Sequence, residues 1–242
     1  LILLAKNLKG YHNLVKLVSY SWTEGFYYKP RIDKELLRQY HEGLICSSAC
    51  LGGELPQAIM HDDLEEASRI VEEFKEIFGE DYYLELQRHE VKDPDQRANR
   101  ETFPLQQRAN AQLIELARKY DVKLVCTNDC HFVEQEDAEA HDRLICLSTN
   151  RDLDDPKRML YSKQEWFKTR AEMNEVFADV PEALANTCDI CDQVEFYSID
   201  HAPIMPNFAI PEEFGTEEGY RKKYTDEDLF EEFTRDENGN VV

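Results

Sequence analysis

The sequence predicts an α/β fold in which a parallel sheet lies under helical cover. Three observations carry this. Short apolar runs alternate with amphipathic segments of helical period. The runs are apolar on both faces, as strands covered from two sides must be. The stretches between them are too long for hairpins, so consecutive strands need helical crossovers. Pattern alone leaves open whether the sheet closes into a barrel.

Each element has its own signal. Residues 1–5, "LILLA", read as a strand. Asn7 caps a helix to about residue 20, with Tyr11, Leu14, Val15 and Val18 on one face. "GFYYKPRID" is a loop, after which Asp33 caps a short helix ending near Tyr40. "GLICSS" at 43–48 is a short buried strand. Asp62 or Asp63 opens a helix whose stripe is Leu64, Ala67, Val71, Phe74 and Phe78. "YYLEL" at 82–86 is a strand, and residues 88–102 a charged loop containing Asp93-Pro94. Pro104 suits the first turn of a helix to Tyr120, with Leu105, Ala109, Leu113, Leu116 and Ala117 inward. "KLVCT" at 123–127 is the next strand, and helices fit 135–147, 171–178 and 181–193, the last opening on Pro181. From about Tyr197 the alternation stops. The division expected is a domain over 1–196, then a Pro-rich exit segment and acidic linker over 197–242 whose "DEDLFEEFTRDENGNVV" carries one short helix.

The 242 residues suffice for one large domain, and 42% hydrophobic content with 12 Tyr and 12 Phe supplies a sizeable core. The net charge of −22 makes the chain as a whole a poor non-specific binder of nucleic acid. A nucleic-acid enzyme remains possible where metal ions or neighbouring domains provide positive charge. Seven cysteines, an odd number scattered through apolar segments, read as reduced thiols of a cytoplasmic protein. No apolar run approaches the roughly 20 residues that span a bilayer, so no membrane role is expected. "LILLAKN" starts in mid-strand without Met, and the chain is expected to be a piece of a longer one.

In parallel α/β folds ligands meet the carboxyl ends of strands, and metal-capable residues follow three of the expected strands. Cys50 follows "GLICSS", Gln87 and His89 follow "YYLEL", and Asp129 and His131 follow "KLVCT". In extended backbone Asp129 and His131 share a face, as a metal clamp or a base with its orienter requires. The plainer alternative is an Asp capping the next helix beside a loop His. Sulfur, nitrogen and oxygen donors together suit zinc, manganese or iron better than magnesium or calcium. Cys188 and Cys191 form a lone C-x-x-C spaced to share an apolar helix face, and read as core. His141 lies in the helix "DAEAHDRLICL", as a supporting, packing or capping residue. Tyr27 and Tyr28 beside Lys29 and Arg31 offer a weak nucleic-acid contact. No Walker loop, G-x-G-x-x-G or G-x-S-x-G occurs.

"KGYHNLVKLVS", "EGFYYKPRID", "SACLGGE", "YYLELQRH", "TNDCHF", "EDAEAHD" and "ADVPEAL" follow one another over about residues 1–210. Together they resemble the PHP (polymerase and histidinol phosphatase) domain of the bacterial DNA polymerase III alpha subunit family. The resemblance implies a distorted (β/α)7 barrel of which this chain is the larger, C-terminal part; the extended acidic segment after it is read from the sequence itself. It implies metal ligands at Cys50, Asp129 and His131, with His89 close to the rim; Gln87 and His141 are rim or supporting residues by their place in the sequence. The family's H-x-H ligand motif does not occur here. The intact protein would be a replicative DNA polymerase with magnesium at a polymerase site outside this sequence, so the polymerase's catalytic residues are unknown here. Its PHP site would be a metal-dependent phosphoesterase or 3′–5′ exonuclease. DNA, other replisome subunits and a proofreading exonuclease are the implied partners, and the fragment alone is expected to be inactive. The alternative is a non-catalytic docking module with a stabilising metal site, and a free-standing phosphatase of the histidinol-phosphatase type is weaker. Residues 88–102 and 216–242 depart from the shortest family pattern and carry no assigned role.

Overall fold

A computed structural model describes residues 1–91, 97–206, 215–236 and 238–240. Two compact units divide at Ile199 and Asp200. In the first, β1 (Ile2–Ala5), β2 (Leu44–Ser47), β3 (Tyr82–Gln87) and β4 (Lys123–Thr127) form one sheet in that order. β2, β3 and β4 run parallel as expected, with Leu84 opposite Leu124 and Cys46 opposite Tyr82. β1 corrects the all-parallel expectation: it is antiparallel to β2, with Ala5 beside Leu44. The two helices between them, α1 (Leu8–Thr23) and α2 (Lys34–Tyr40), return the chain to the end at which β1 finished.

Both helices start where their caps sit. The Asn7 side chain accepts from Gly10 N, and the Asp33 side chain from Leu36 N. The inward face of α1 is not the one its branched residues suggest. Gly10, Asn13, Leu17 and Ser21 are buried, whereas Val15 and Val18 are 45% and 52% exposed. Close approach and hydrogen bonding select that face. A Cβ on Gly10 would lie 1.9 Å from the Gly43 carbonyl oxygen, and Asn13 Nδ2 donates to Glu42 O at 2.9 Å.

Between β2 and β3 lie the short α3 (Glu54–Met60), which sequence reasoning passed over, and α4 (Leu64–Phe78), capped by Asp63. The α4 stripe is Ala67, Ile70, Val71, Phe74, Ile77 and Phe78; Leu64 sits at the capped end and is exposed. α5 (Arg97–Tyr120) corrects the loop expected over 88–102, of which residues 92–96 lie outside the described residues. Pro104 is inside this helix and not in its first turn, forfeiting one backbone bond. Ala109, Leu113, Leu116 and Ala117 are buried, and Leu105 is exposed.

After β4 come α6 (Ala138–Thr149), α7 (Arg170–Val176) and α8 (Pro181–Asp192). Cys188 and Cys191 are exposed, contrary to the core expectation. The inward face of α8 carries Ala183, Leu184 and Ile190, with Asn186 Nδ2 donating to Leu124 O. No described helix is long and apolar enough to cross a membrane.

Side-chain alternation makes the two faces of the sheet unlike. Tyr82, Leu84 and Leu86 join Leu124, Cys126 and the α4 and α5 stripes in the main core. The opposite face begins apolar, with Ile45, Tyr83 and Val125 packed against Ile190. One step toward the strand C-termini it turns polar, at Ser47, Glu85, Gln87 and Thr127.

The second unit holds α9 (Glu217–Lys223) and α10 (Asp226–Thr234), where one tail helix was expected. Thr216 accepts from Gly219 N, Thr225 and Asp228 form a capping box, and Glu217–Arg221 and Glu218–Lys222 pairs brace α9.

Candidate functional site

The polar half of that face is built around a buried carboxylate. Glu85 Oε2 accepts from Ser47 Oγ at 2.5 Å, and its Oε1 accepts from Thr127 Oγ1 at 2.5 Å and from Gln87 Nε2 at 3.1 Å. Three donors from three neighbouring strands satisfy a charge that burial would otherwise penalise heavily. Gln87 also donates to Thr127 Oγ1 and accepts on its backbone oxygen from Asn110 Nδ2, so it braces the sheet beside Glu85.

Both strands flanking β3 end in a left-handed residue. Ala49 follows β2 with φ of 62°, and Asp129 follows β4 with φ of 48°. Non-glycine residues reach this region at a cost, and such strain gathers at functional positions. At β2 the turn sets Cys50 half-buried above a cavity of about 10 Å³ lined also by Glu85, Gln87, Gln106 and Asn110. At β4 it sets the Asp129 carboxylate against His131, with Oδ1 and Nε2 3.5 Å apart. The two side chains meet, but strand alternation is not the reason: β4 ends at Thr127 and the intervening backbone is a turn.

That turn is gripped from several sides. Asn128 Nδ2 donates to Gln164 O and to Trp166 O, both at 2.8 Å. His131 N donates to Glu165 O at 2.8 Å, and Phe167 N to Phe132 O at 3.1 Å. Residues 162–168 thus run beside the turn as a short strand would, with Phe132 and Trp166 bridged in parallel. Lys168 Nζ reaches Asn128 Oδ1 at 3.3 Å and lies 3.4 Å from the centre of the Trp166 ring. Burial lowers its pKa to about 8.

His89 is buried, at 3% exposure. Its backbone N–H donates to Gln106 Oε1 at 2.8 Å, which turns the Gln106 NH₂ toward ring Nδ1 at 3.1 Å. Nδ1 therefore accepts, and Nε2–H donates to Asn128 O at 3.1 Å. Burial holds the His89 pKa below its ordinary value, against the opposing pull of Glu165. Glu165 Oε1 accepts from Ser162 N and Oγ and lies 3.4 Å from His89 Nδ1, while Oε2 is buried without a hydrogen-bond partner. His89 thus supports the turn that carries Asp129.

Around His131 the rings of His141 and Tyr161 stand 5.6 and 4.6 Å away. The Tyr161 hydroxyl is pushed up by burial, then by the charges of Asp129, Glu165 and Cys50. The bidentate Arg158–Asp142 pair, at 2.5 and 2.9 Å, ties the chain before Tyr161 to the helix that carries His141. Lys29 and Arg31 stand in the exposed loop between α1 and α2.

Among the described residues no three His, Cys, Asp or Glu side chains converge closely enough to hold a metal ion. Asp129 and His131 supply two donors of suitable chemistry, and neither Cys50 nor the unpartnered Glu165 oxygen closes on them as a third. The fit to an ion is partial. Sequence reasoning missed Glu85, Gln106, Asn128, Tyr161, Glu165 and Lys168. Glu85 had a visible signal, a charge inside an otherwise apolar strand, whereas Glu165 and Lys168 sit in a stretch with no periodicity.

Residues 1–89 match the family described as PHP domain. Over 231 residues the chain is 44% identical to DNA polymerase III subunit alpha of Borreliella burgdorferi, covering 95% of this chain and 19% of that protein. It is 37% identical over 235 residues to DNA polymerase III subunit alpha of Treponema pallidum, covering 96% and 19%. The corresponding protein of Thermus aquaticus is 39% identical over 219 residues, covering 88% and 17%. The chain spans about a fifth of the length of these curated relatives.

Proposed function

We propose that the chain, whose residues 1–89 match the PHP domain family and which over 95% of its length is similar to DNA polymerase III subunit alpha, is the PHP-bearing segment of a replicative DNA polymerase. On this reading the full protein extends primed DNA from deoxynucleoside triphosphates in the cytoplasm, using magnesium, beside other replisome subunits and a proofreading exonuclease. The four-stranded sheet, three of whose strands are parallel, is taken on this reading as part of a (β/α)7 barrel.

Within the segment, the proposed site is the rim after β2 and β4. Asp129 and His131 are taken as donors to a divalent cation of the zinc, manganese or iron type, with Cys50, which does not close on them here, as the third the reading calls for. Such an ion, when bound, supplies an activated water and neutralises charge on a phosphodiester. Since the donors here do not close a site, no catalytic step is derived through it. The chain's own contribution is placement: Asn128, His89 and the 162–168 segment fix the backbone that aims Asp129 at His131. The observation that carries the reading is the 3.5 Å Asp129–His131 pair at the C-terminal end of a parallel strand, where α/β folds bind their ligands. The lack of a third converging donor among the described residues favours a second reading, a docking module with a vestigial site.

A segment exchange tests the proposal. This chain replaces the matching stretch of the Borreliella subunit, and primer extension and phosphodiester hydrolysis are assayed with and without D129N/H131A. The proposal expects extension to survive both exchange and variant, and hydrolysis to fall at least tenfold in the variant. Loss of extension on exchange contradicts the polymerase reading, and hydrolysis indifferent to the variant leaves the docking reading.

A further inference from the structure

The last turn of α1 and the loop that follows it expose aromatic surface that neither the core nor the proposed cation site uses. Trp22 and Phe26 are stacked, centroids 5.6 Å apart at 16°, and are 59% and 51% exposed. Tyr27 and Tyr28 meet edge to face at 4.6 Å and are 63% and 82% exposed. Four large rings thus face solvent within seven positions, although a folded chain normally buries or covers contiguous apolar surface.

The loop is built to hold them there. Gly25 N donates back to Tyr20 O, and Tyr27 N to Lys29 O at 3.1 Å. Gly25 lies so close to the opposite limb that a Cβ would come 2.0 Å from Arg31 O. Tyr28 takes a left-handed conformation, φ 58°, that turns its side chain outward at a conformational cost.

The charge beside the rings indicates the partner. This chain carries 50 acidic against 28 basic residues. Yet Lys29 and Arg31, both exposed, take part in none of the ion pairs among the described residues; the Arg31 guanidinium instead lies 5.2 Å from the centre of the Tyr27 ring. Within 22–31 the only acid is Glu24. Planar faces for stacking with unpaired cations beside them match a ligand of alternating bases and phosphates. A duplex hides its base faces, so the match is to a single strand.

We propose that Trp22, Phe26, Tyr27 and Tyr28, with Lys29 and Arg31, form a binding platform for single-stranded nucleic acid. The platform rests on its own geometry and needs neither the cation site nor the polymerase reading, so either can fail without the other.

The test is titration of the 242-residue chain, in EDTA and at low salt, with a fluorescein-labelled oligothymidylate of about twelve nucleotides, within the span single-strand sites occupy. Anisotropy reads binding and tryptophan emission reads stacking. Binding is expected to quench tryptophan emission, and the quench to vanish in W22F. K29E/R31E and Y27A/Y28A are each expected to weaken binding about tenfold or more, with unchanged circular dichroism. An abasic strand of equal charge and a duplex of equal length are expected to bind at least about tenfold more weakly. No binding, equal binding of the abasic strand or the duplex, or affinity unmoved in both double variants would overturn the proposal.

Discussion

Gln106 holds His89 by two bonds of opposite sense, accepting from its backbone N–H at 2.8 Å and donating to its ring Nδ1 at 3.1 Å. One amide thereby fixes the ring's tautomer and hands the Nε2–H to the backbone that leads into Asp129. Q106E keeps the first bond and reverses the second, because a carboxylate accepts and cannot donate. A carboxylate beside Nδ1 favours the charged imidazole. The His89 titration midpoint, followed by ring-proton NMR, should rise in Q106E; an unmoved midpoint contradicts the tautomer assigned.

The same burial fixes a pH dependence. The folded-state pKa of His89 is lowered, so below the unfolded value of about 6.5 the unfolded chain takes up a proton that the folded chain resists. This contribution to stability is present above that value and is lost as pH falls through it. Urea unfolding at about pH 7.5 and about pH 5.5 should show a smaller acid loss in H89Q than in wild type. Parallel losses would mean that His89 is not held neutral.

Gly10 sets the approach of α1 to the turn before β2. Alanine favours a helix over glycine by about 1 kcal/mol, but its Cβ would collide with backbone at Gly43, which has no side chain to move away. Overpacking typically costs about 1–3 kcal/mol, and here the collision is with main chain. The clash wins, and G10A should destabilise the chain in chemical unfolding; a stabilised G10A would mean the helix sits farther out.

Arg158 and Asp142 are 12% and 14% exposed and share two hydrogen bonds. Arg158 first among the causes, the Asp142 carboxyl is held below its usual range. The pair therefore contributes above the unfolded carboxylate pKa of about 3.9 and is lost as pH falls below it. R158A should cost about 2 kcal/mol in thermal or urea unfolding near neutral pH, and the difference from wild type should shrink in acid. A constant difference would assign the loss to packing.

Periodicity and caps made most of the first unit legible. Asn7, Asp33, Asp63 and Pro181 each open the helix expected of them, and "KLVCT" is β4 to the residue. What failed had competing causes. The Val15 and Val18 face lost to the close approach at Gly10 and the Asn13 bond. The loop before Pro104 lost to α5, which tolerates one missing backbone bond. The sequence pairs Asp129 and His131 on an extended spacing that the backbone does not adopt; they meet through the turn after β4. Their support was not legible: Glu165 lies 36 positions beyond Asp129, and tertiary contact alone brings its backbone to His131.

The central proposal is that Asp129 and His131 bind a cation on the rim after β4 and that Cys50, which does not converge on them among the described residues, is its third donor. Cobalt(II) substitution tests it most directly, because a cobalt–thiolate bond gives an intense near-ultraviolet charge-transfer band that carboxylate and imidazole ligands alone do not. Titrated with cobalt(II), the chain should develop this band weakly, consistent with an incomplete donor set. The band should disappear in C50S and in D129N/H131A and persist in C188S/C191S. A band that survives C50S, or that ignores the loss of Asp129 and His131, would contradict the account.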